Sequence, residues 1–314
     1  MEIISLILII FGLALFEIII SIDNAIINAD VLSSVSEKAR KWFLFWGLLI
    51  AVFLVRGILP TIILWIGNPS LGFIGAVTAS FSSDPRIIET VEKSAPILLI
   101  GGGTFLVFVF FHWLFLEPKH YGLKGEKFIH GQGVWFFAVV SIILAVIVWL
   151  SIKINPFMAF GAVIGSTAFF ITHGFKENAE EQEKAMLDKN IKMSDWSKIL
   201  YLEVIDTVFS VDGIVGAFSF TFSIPLILIG NGLGAVVMRQ ITVGNIERIK
   251  RYKYLKNGAM YSIFALGSVM ILHSFHVGIP DWVSPVLTFI IVGYFFWKSK
   301  RELTVDSRKE VVSN

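Results

Sequence analysis

Apolar residues come in long blocks along this chain, parted by mostly short polar connections. A helix crosses a bilayer with about 20 predominantly apolar residues. The pattern predicts nine such spans, near 3–27, 42–66, 96–116, 134–152, 157–175, 199–221, 224–243, 258–276 and 283–297, the last of them the shortest. Two connections are longer than a tight turn. Residues 67–95 look partly amphipathic, and residues 176–198 are polar and expected to be helical in part, a solvated stretch that divides the chain into halves.

Composition agrees with a polytopic all-α membrane protein: 55% of residues are hydrophobic and 16% charged, and the mean hydropathy is +0.77. There is no cysteine, which excludes disulfides and thiolate metal sites. The net charge of +2 says little, but its distribution decides orientation. The connections after spans 1, 3, 5 and 7, with the C-terminal tail, hold 21 of the 26 Lys and Arg; the opposite side holds three, and Arg56 and Arg239 lie within spans. The positive-inside rule then puts the N-terminus outside and the C-terminus in the cytoplasm. The first span has no basic n-region and is read as retained, not as a signal peptide. Residues 1–297 form one transmembrane domain and 298–314 a cytoplasmic tail. The expected setting is a bacterial inner or plasma membrane, with the lipid bilayer as surroundings and no nucleic-acid partner.

Two of the apolar spans carry nearly the same polar motif. Residues 16–26 read FEIIISIDNAI and residues 203–217 read EVIDTVFSVDGIVGA. With Ser21-Ile22-Asp23 laid on Ser210-Val211-Asp212, an acid stands six positions before each aspartate, Glu17 in one copy and Asp206 in the other. A carboxylate at mid-membrane costs about 2.5–3.5 kcal/mol on insertion scales, so four cost about 10–14 kcal/mol before any partner is found. Duplication of that burden at matched spacing points to a bound cation. The likeness extends further: Arg56 of span 2 matches Arg239 of span 7, and Gly103 with Phe111-His112 in span 3 matches Gly267 with Phe275-His276 in span 8. Five crossings separate spans 1 and 6, so the copies (repeat one 1–116, repeat two 199–276) have opposite orientation. Inverted repeats of this kind place the binding site of secondary transporters at their interface near the midplane.

A regular helix turns about 100° per residue. Glu17, Ser21 and Asn24 then share a face, while Asp23 lies about 120° from Glu17; Glu203, Asp206 and Ser210 share a face, with Asp212 nearly opposite Glu203. The spacing therefore suggests unwinding at Ser21–Asn24 and Ser210–Gly213, which would also free backbone carbonyls for a hard cation. The alternative is an intact helix whose Asp23 and Asp212 face a second crevice. Glu17, Asp23, Asn24, Glu203, Asp206 and Asp212 are the candidate metal ligands, with Ser21, Ser210, Arg56 and Arg239 in support. Glu203 has no acidic counterpart, since Ala14 stands at its matching position, and reads as a proton site or entry ligand. Set against the metal reading, the acids could simply pair with the arginines, and each serine could bond back to its own helix. His112, His173, His273 and His276 read as interfacial, and Gly161, Gly165 and Gly230 to Gly234 as close helix contacts.

Carboxylate, amide and hydroxyl oxygens suit Mg²⁺, Ca²⁺ and Mn²⁺ rather than copper or zinc. Moving a divalent ion outward against an inside-negative potential costs about 4.6 kcal/mol per about 100 mV, so export calls for inward protons in exchange. Clustered acids let proton and metal compete for the same oxygens.

The motifs FEIIISIDNA with NADVL, and LEVIDTVFSVDGIVGAF, together with YKYLKNGAMYSI ahead of span 8, resemble the TerC-like integral membrane proteins, nearest to a subgroup of unassigned function. The resemblance covers roughly residues 10–295. It implies export of a divalent metal, manganese above all, with the acids of the two motif helices as the metal site and no permanently bound cofactor. The chain departs from better-studied members at Gly213, where many have serine, and in the long outer connection after span 2. Two other roles fit the sequence less fully. One is an assembly or metallation factor for a membrane or secreted protein partner. The other is an intramembrane aspartyl protease, for which the Gly-x-Gly-Asp motif is missing; no enzymatic activity is expected.

Overall fold

In hydrocarbon a backbone must satisfy its own N–H and C=O groups, and the apolar blocks accordingly fold as helices. A computed structural model describes residues 3–47, 49–50, 57–58, 61–62, 65, 72–79, 85–187, 194–244 and 249–313. Its helices are α1 (Ile3–Ile20), α2 (Ile22–Ser33), α3 (Glu37–Trp42), α4 (Gly72–Ala79), α5 (Pro85–Phe115), α6 (Glu126–His130), α7 (Phe136–Ile152), α8 (Pro156–Leu187), α9 (Asp195–Ala217), α10 (Ile224–Gly244), α11 (Leu255–Ser274) and α12 (Val283–Ser313). A π-helical turn, Phe43–Gly47, follows α3. No strand occurs among the described residues.

Six of these stretches are long and apolar enough to cross a membrane: Ile3–Ile20, Ser94–Phe115, Gly133–Ile152, Pro156–Asn178, Ile224–Thr242 and Leu255–Ser274. They coincide with expected spans 1, 3, 4, 5, 7 and 8. Much of span 2 falls outside the described residues. Span 6 is the helix α9, whose Lys198, Glu203, Asp206 and Asp212 dilute its apolar character. Span 9 is only the first half of the 31-residue α12. The connection 67–95 contains α4 and the first turns of α5.

Glycine sets the close crossings. A Cβ on Gly103 would stand 2.7 Å from the Gly267 carbonyl, and one on Gly267 would stand 3.1 Å from that of Gly103, so α5 and α11 meet backbone to backbone. On another face of α5, a Cβ on Gly101 would lie 2.8 Å from the Gly161 carbonyl, and one on Gly165 would strike the Gly101 carbonyl. The small-residue contact expected of Gly161 and Gly165 is thus made, by α8 running parallel to α5. Gly230 and Gly234 of α10 admit Leu13, Ala14 and Glu17 of α1 in the same way. Around these crossings Phe16, Phe105, Phe108, Trp113, Phe136, Phe169, Leu266 and Met270 form the main apolar core. Phe137, Ile142 and Trp149 of α7 face outward, as lipid-facing residues do.

Two of the histidines near span ends, His112 and His173, are partnered. The His112 and His173 rings meet at 3.8 Å between centres, tilted by 54°; His112 Nδ1 lies 3.5 Å from Glu117, and Lys256 Nζ lies 2.8 Å from the same carboxylate. Burial works to raise the Glu117 carboxyl, but His112 and Lys256 outweigh it and hold it well below the usual carboxylate range. A depressed carboxyl stabilises the fold fully above its unfolded value, about 4.5, and loses that contribution as pH falls toward the folded value. Glu117→Gln should therefore lower the melting temperature in detergent at about pH 7, with the gap to wild type closing below about pH 4. A gap independent of pH would show that Glu117 acts by packing alone.

Candidate functional site

The two motif helices lie side by side and antiparallel. At one end the Ser36 N–H donates to Asp195 Oδ2 (2.9 Å) and Lys198 donates to Ser34 Oγ (2.9 Å). Further along, Asn28 Nδ2 donates to Asp206 Oδ1 (2.8 Å). Further still, a Cβ on Gly213 would sit 3.2 Å from Glu17 Oε2, and one on Gly216 would press into the Phe16 ring. The absence of a side chain at Gly213 thus leaves space at the Glu17 carboxylate.

The helices are less broken than the spacing suggests. Between α1 and α2 only Ser21 leaves the helix, with φ −87 and ψ 0, and the hydrogen bonds Ser21 N–H to Glu17 (3.1 Å) and Ala25 N–H to Ser21 (2.9 Å) carry the ladder across it. In the second copy α9 runs unbroken through Ser210–Gly213. Its Ser210 hydroxyl bonds back to the Asp206 carbonyl at 2.6 Å, the ordinary behaviour of a membrane-helix serine. The expected unwinding is corrected to a one-residue turn in one copy and none in the other, because the backbone bonds remain made.

An intact α9 sends its acids to different sides. Asp206 (7% exposed) faces Asn28 and Arg239, whose Nη2 donates to Oδ2 at 3.2 Å. The same guanidinium donates through Nη1 to the Phe43 carbonyl (2.8 Å), lies 4.0 Å over the Phe43 ring, and stands 4.0 Å from Glu203 Oε1. Glu203 packs where a Cβ on Gly47, the last residue of the π-helical turn, would fall. Asp212 (5% exposed) turns to α8 and takes the Lys176 ammonium on Oδ2 at 2.5 Å. Lys176 was expected among the solvated charges of the 176–198 connection; α8 instead continues through it and carries its side chain inward, 18% exposed. Glu17 (1% exposed) accepts the Ser21 hydroxyl at 2.9 Å. Asp23 and Asn24 sit in the first turn of α2, with their side chains outside the described residues, and Arg56 lies outside them altogether.

Among the described residues, no three acidic or histidine side chains gather closely enough to hold a metal ion. Among the described residues several buried oxygens have no hydrogen-bond donor: Asn28 Oδ1, both oxygens of Glu203, Asp212 Oδ1 and, beside an equally unpaired Nδ2, Asn231 Oδ1. Buried polar atoms are nearly always satisfied, so such a set invites a positive partner. Asn28, Lys176 and Asn231 escape the sequence reading. Asn28 stands in the NAD triplet just past the first motif, Lys176 at the polar edge of an apolar block, and Asn231 inside the glycine-rich stretch GNGLG. A lone amide in such a stretch is the one signal that marked Asn231.

The family described as "Protein of unknown function (DUF475)" matches residues 22–305, so the chain belongs to that family. It is also 28% identical, over 155 residues, to the "Uncharacterized membrane protein YceF" of Bacillus subtilis (strain 168). That match covers 46% of this chain and 60% of the relative's length. No solved structure matches.

Proposed function

We propose that this DUF475 membrane protein is a secondary transporter that exports a divalent cation from a bacterial cell, Mn²⁺ ahead of Ca²⁺ and Mg²⁺, in exchange for protons. The observation that carries the reading is the set of acids carried inward by the two motif helices, several of whose oxygens lack donors. Among the described residues Arg239 faces both Asp206 and Glu203, and Lys176 faces Asp212. Hard oxygen donors fit Mn²⁺, Ca²⁺ and Mg²⁺. A modest movement of α9 against α1 and α2 would bring further oxygens onto an ion held at Asp212.

The contacts also support an inverted repeat. The run from Asn28–Asp206 to Glu17–Gly213 has its midpoint near Ile22–Asp23 against Phe209–Ser210, close to the positions that the two motifs align. The α5–α11 crossing has its centre at Gly103 against Gly267, again an aligned pair. A two-fold relation in the membrane plane gives such self-matching contacts, and it is the architecture of alternating access. The nine-span topology, with cytoplasmic C-terminus, and the TerC-like resemblance point the same way.

The test is purified protein in vesicles with an internal metal indicator and an imposed pH difference. The expected result is Mn²⁺ movement driven by the proton gradient, and weaker movement of Ca²⁺ and Mg²⁺. If no metal moves although the protein is folded and inserted, the transporter reading fails and the assembly-factor reading gains.

A further inference from the structure

Lys176 is a sequence-remote residue placed on the motif acid of the second copy. Its ammonium binds Asp212 Oδ2 at 2.5 Å, and both side chains are largely buried. Asp212 Oδ1 is buried too and has no donor. The carboxylate is therefore half satisfied: one oxygen carries a full positive charge, and its twin carries nothing. A structural ion pair repays the desolvation of its charges best when the remaining lone pairs are also bonded, and this one leaves them open. The next residue, Gly213, keeps a gap in which the Glu17 carboxylate lies, so a second acid abuts the same stretch of α9.

Lys176 also has somewhere else to go. It sits two residues from the end of the apolar part of α8, which runs Pro156–Asn178, and the helix continues in polar sequence to Leu187. A lysine stem is long and flexible enough to swing its head to the interface while its methylenes stay in apolar surroundings. The Asp206 side is built differently: Arg239 is fixed by the Phe43 carbonyl and ring as well as by the acid, a fork with several anchors. Of the two basic residues, the lysine, with its flexible stem near the end of the apolar stretch, is the one suited to leave.

We propose that Lys176 is a tethered cation that occupies Asp212 between transport events and yields it to the divalent ion. The inference rests on the transporter reading and adds to it a residue that ties metal entry to release of α8 from α9. An ion on Asp212 would engage both carboxylate oxygens where the ammonium engages one, and its second charge favours it in the exchange.

The experiment is thermal unfolding of the full-length protein in detergent, in EDTA and across a MnCl₂ series, for wild type, Lys176→Met, Lys176→Arg and the double variant Lys176→Met/Asp212→Asn. Lys176→Met should melt well below wild type in EDTA and recover with Mn²⁺, at a half-saturating concentration about tenfold lower than wild type requires, an advantage of about 1.4 kcal/mol. Lys176→Arg should keep the wild-type melt, and the double variant should recover in EDTA and ignore Mn²⁺. If Lys176→Met stays unstable or aggregated at every Mn²⁺ concentration while the double variant folds, the pair is structural and the proposal is overturned. The same holds if its Mn²⁺ response equals that of wild type. Proton-driven Mn²⁺ movement by wild-type vesicles separates the two readings. Movement without metal rescue of Lys176→Met removes only the tethered-cation role; absence of both movement and any metal response removes both.

Discussion

Arg239→Met should cost more stability than any other single change at the site. The guanidinium serves the Asp206 carboxylate, the Phe43 carbonyl and ring, and stands within reach of Glu203. Methionine fills most of the volume but returns none of the charge. Removing one member of a buried ion pair costs about 3–5 kcal/mol, because the surviving charge stays desolvated. A second acid at 4.0 Å adds to that cost. The expected result is little or no folded protein on size-exclusion chromatography of detergent extracts. Neutralising the acids together with it, as Arg239→Met/Asp206→Asn/Glu203→Gln, should recover the monodisperse peak, since one apolar and two neutral polar groups of similar shape then replace an unbalanced charge. If the single variant melts with wild type, the assignment of Arg239 as the neutralising group is wrong.

Asp212→Asn should abolish export while leaving the protein in the membrane. The amide keeps the size of the carboxylate and an oxygen toward Lys176, but loses the charge that would attract the ion. Lys176, at the edge of its apolar block, can turn outward rather than remain as a buried cation. Asp23→Asn, the same change in the first motif, should behave alike if the two copies share one role. The measurement is intracellular manganese in a host lacking its own exporters, with membrane levels of each variant checked by blot. Wild-type protection by both variants at equal abundance would remove the motif aspartates from the mechanism.

The helices of this protein were largely legible because bilayer thickness fixes their length and an apolar block has few other fates. Close crossings at Gly161, Gly165, Gly230 and Gly234 were legible for a related reason: in a membrane, small residues are the means by which backbones approach. Side-chain direction was not legible to the same degree. The acids of α9 were expected to be drawn together by unwinding, and the helix instead stays whole, sending Asp206 to α10 and Asp212 to α8. Backbone hydrogen bonds in an apolar medium are worth keeping, and the acids found nearby basic side chains without breaking them.

From the sequence alone came the all-helical membrane class, the paired motifs and the identity of the acids, because hydropathy and the cost of buried charge act on each segment by itself. Tertiary structure alone decided the partners. It set Asn28 on Asp206, turned Lys176 from a surface charge into the counter-ion of Asp212, and laid the two motif helices side by side. Those choices depend on which helices touch and at what height, and the long-range packing that sets them is not written in any one stretch of the chain.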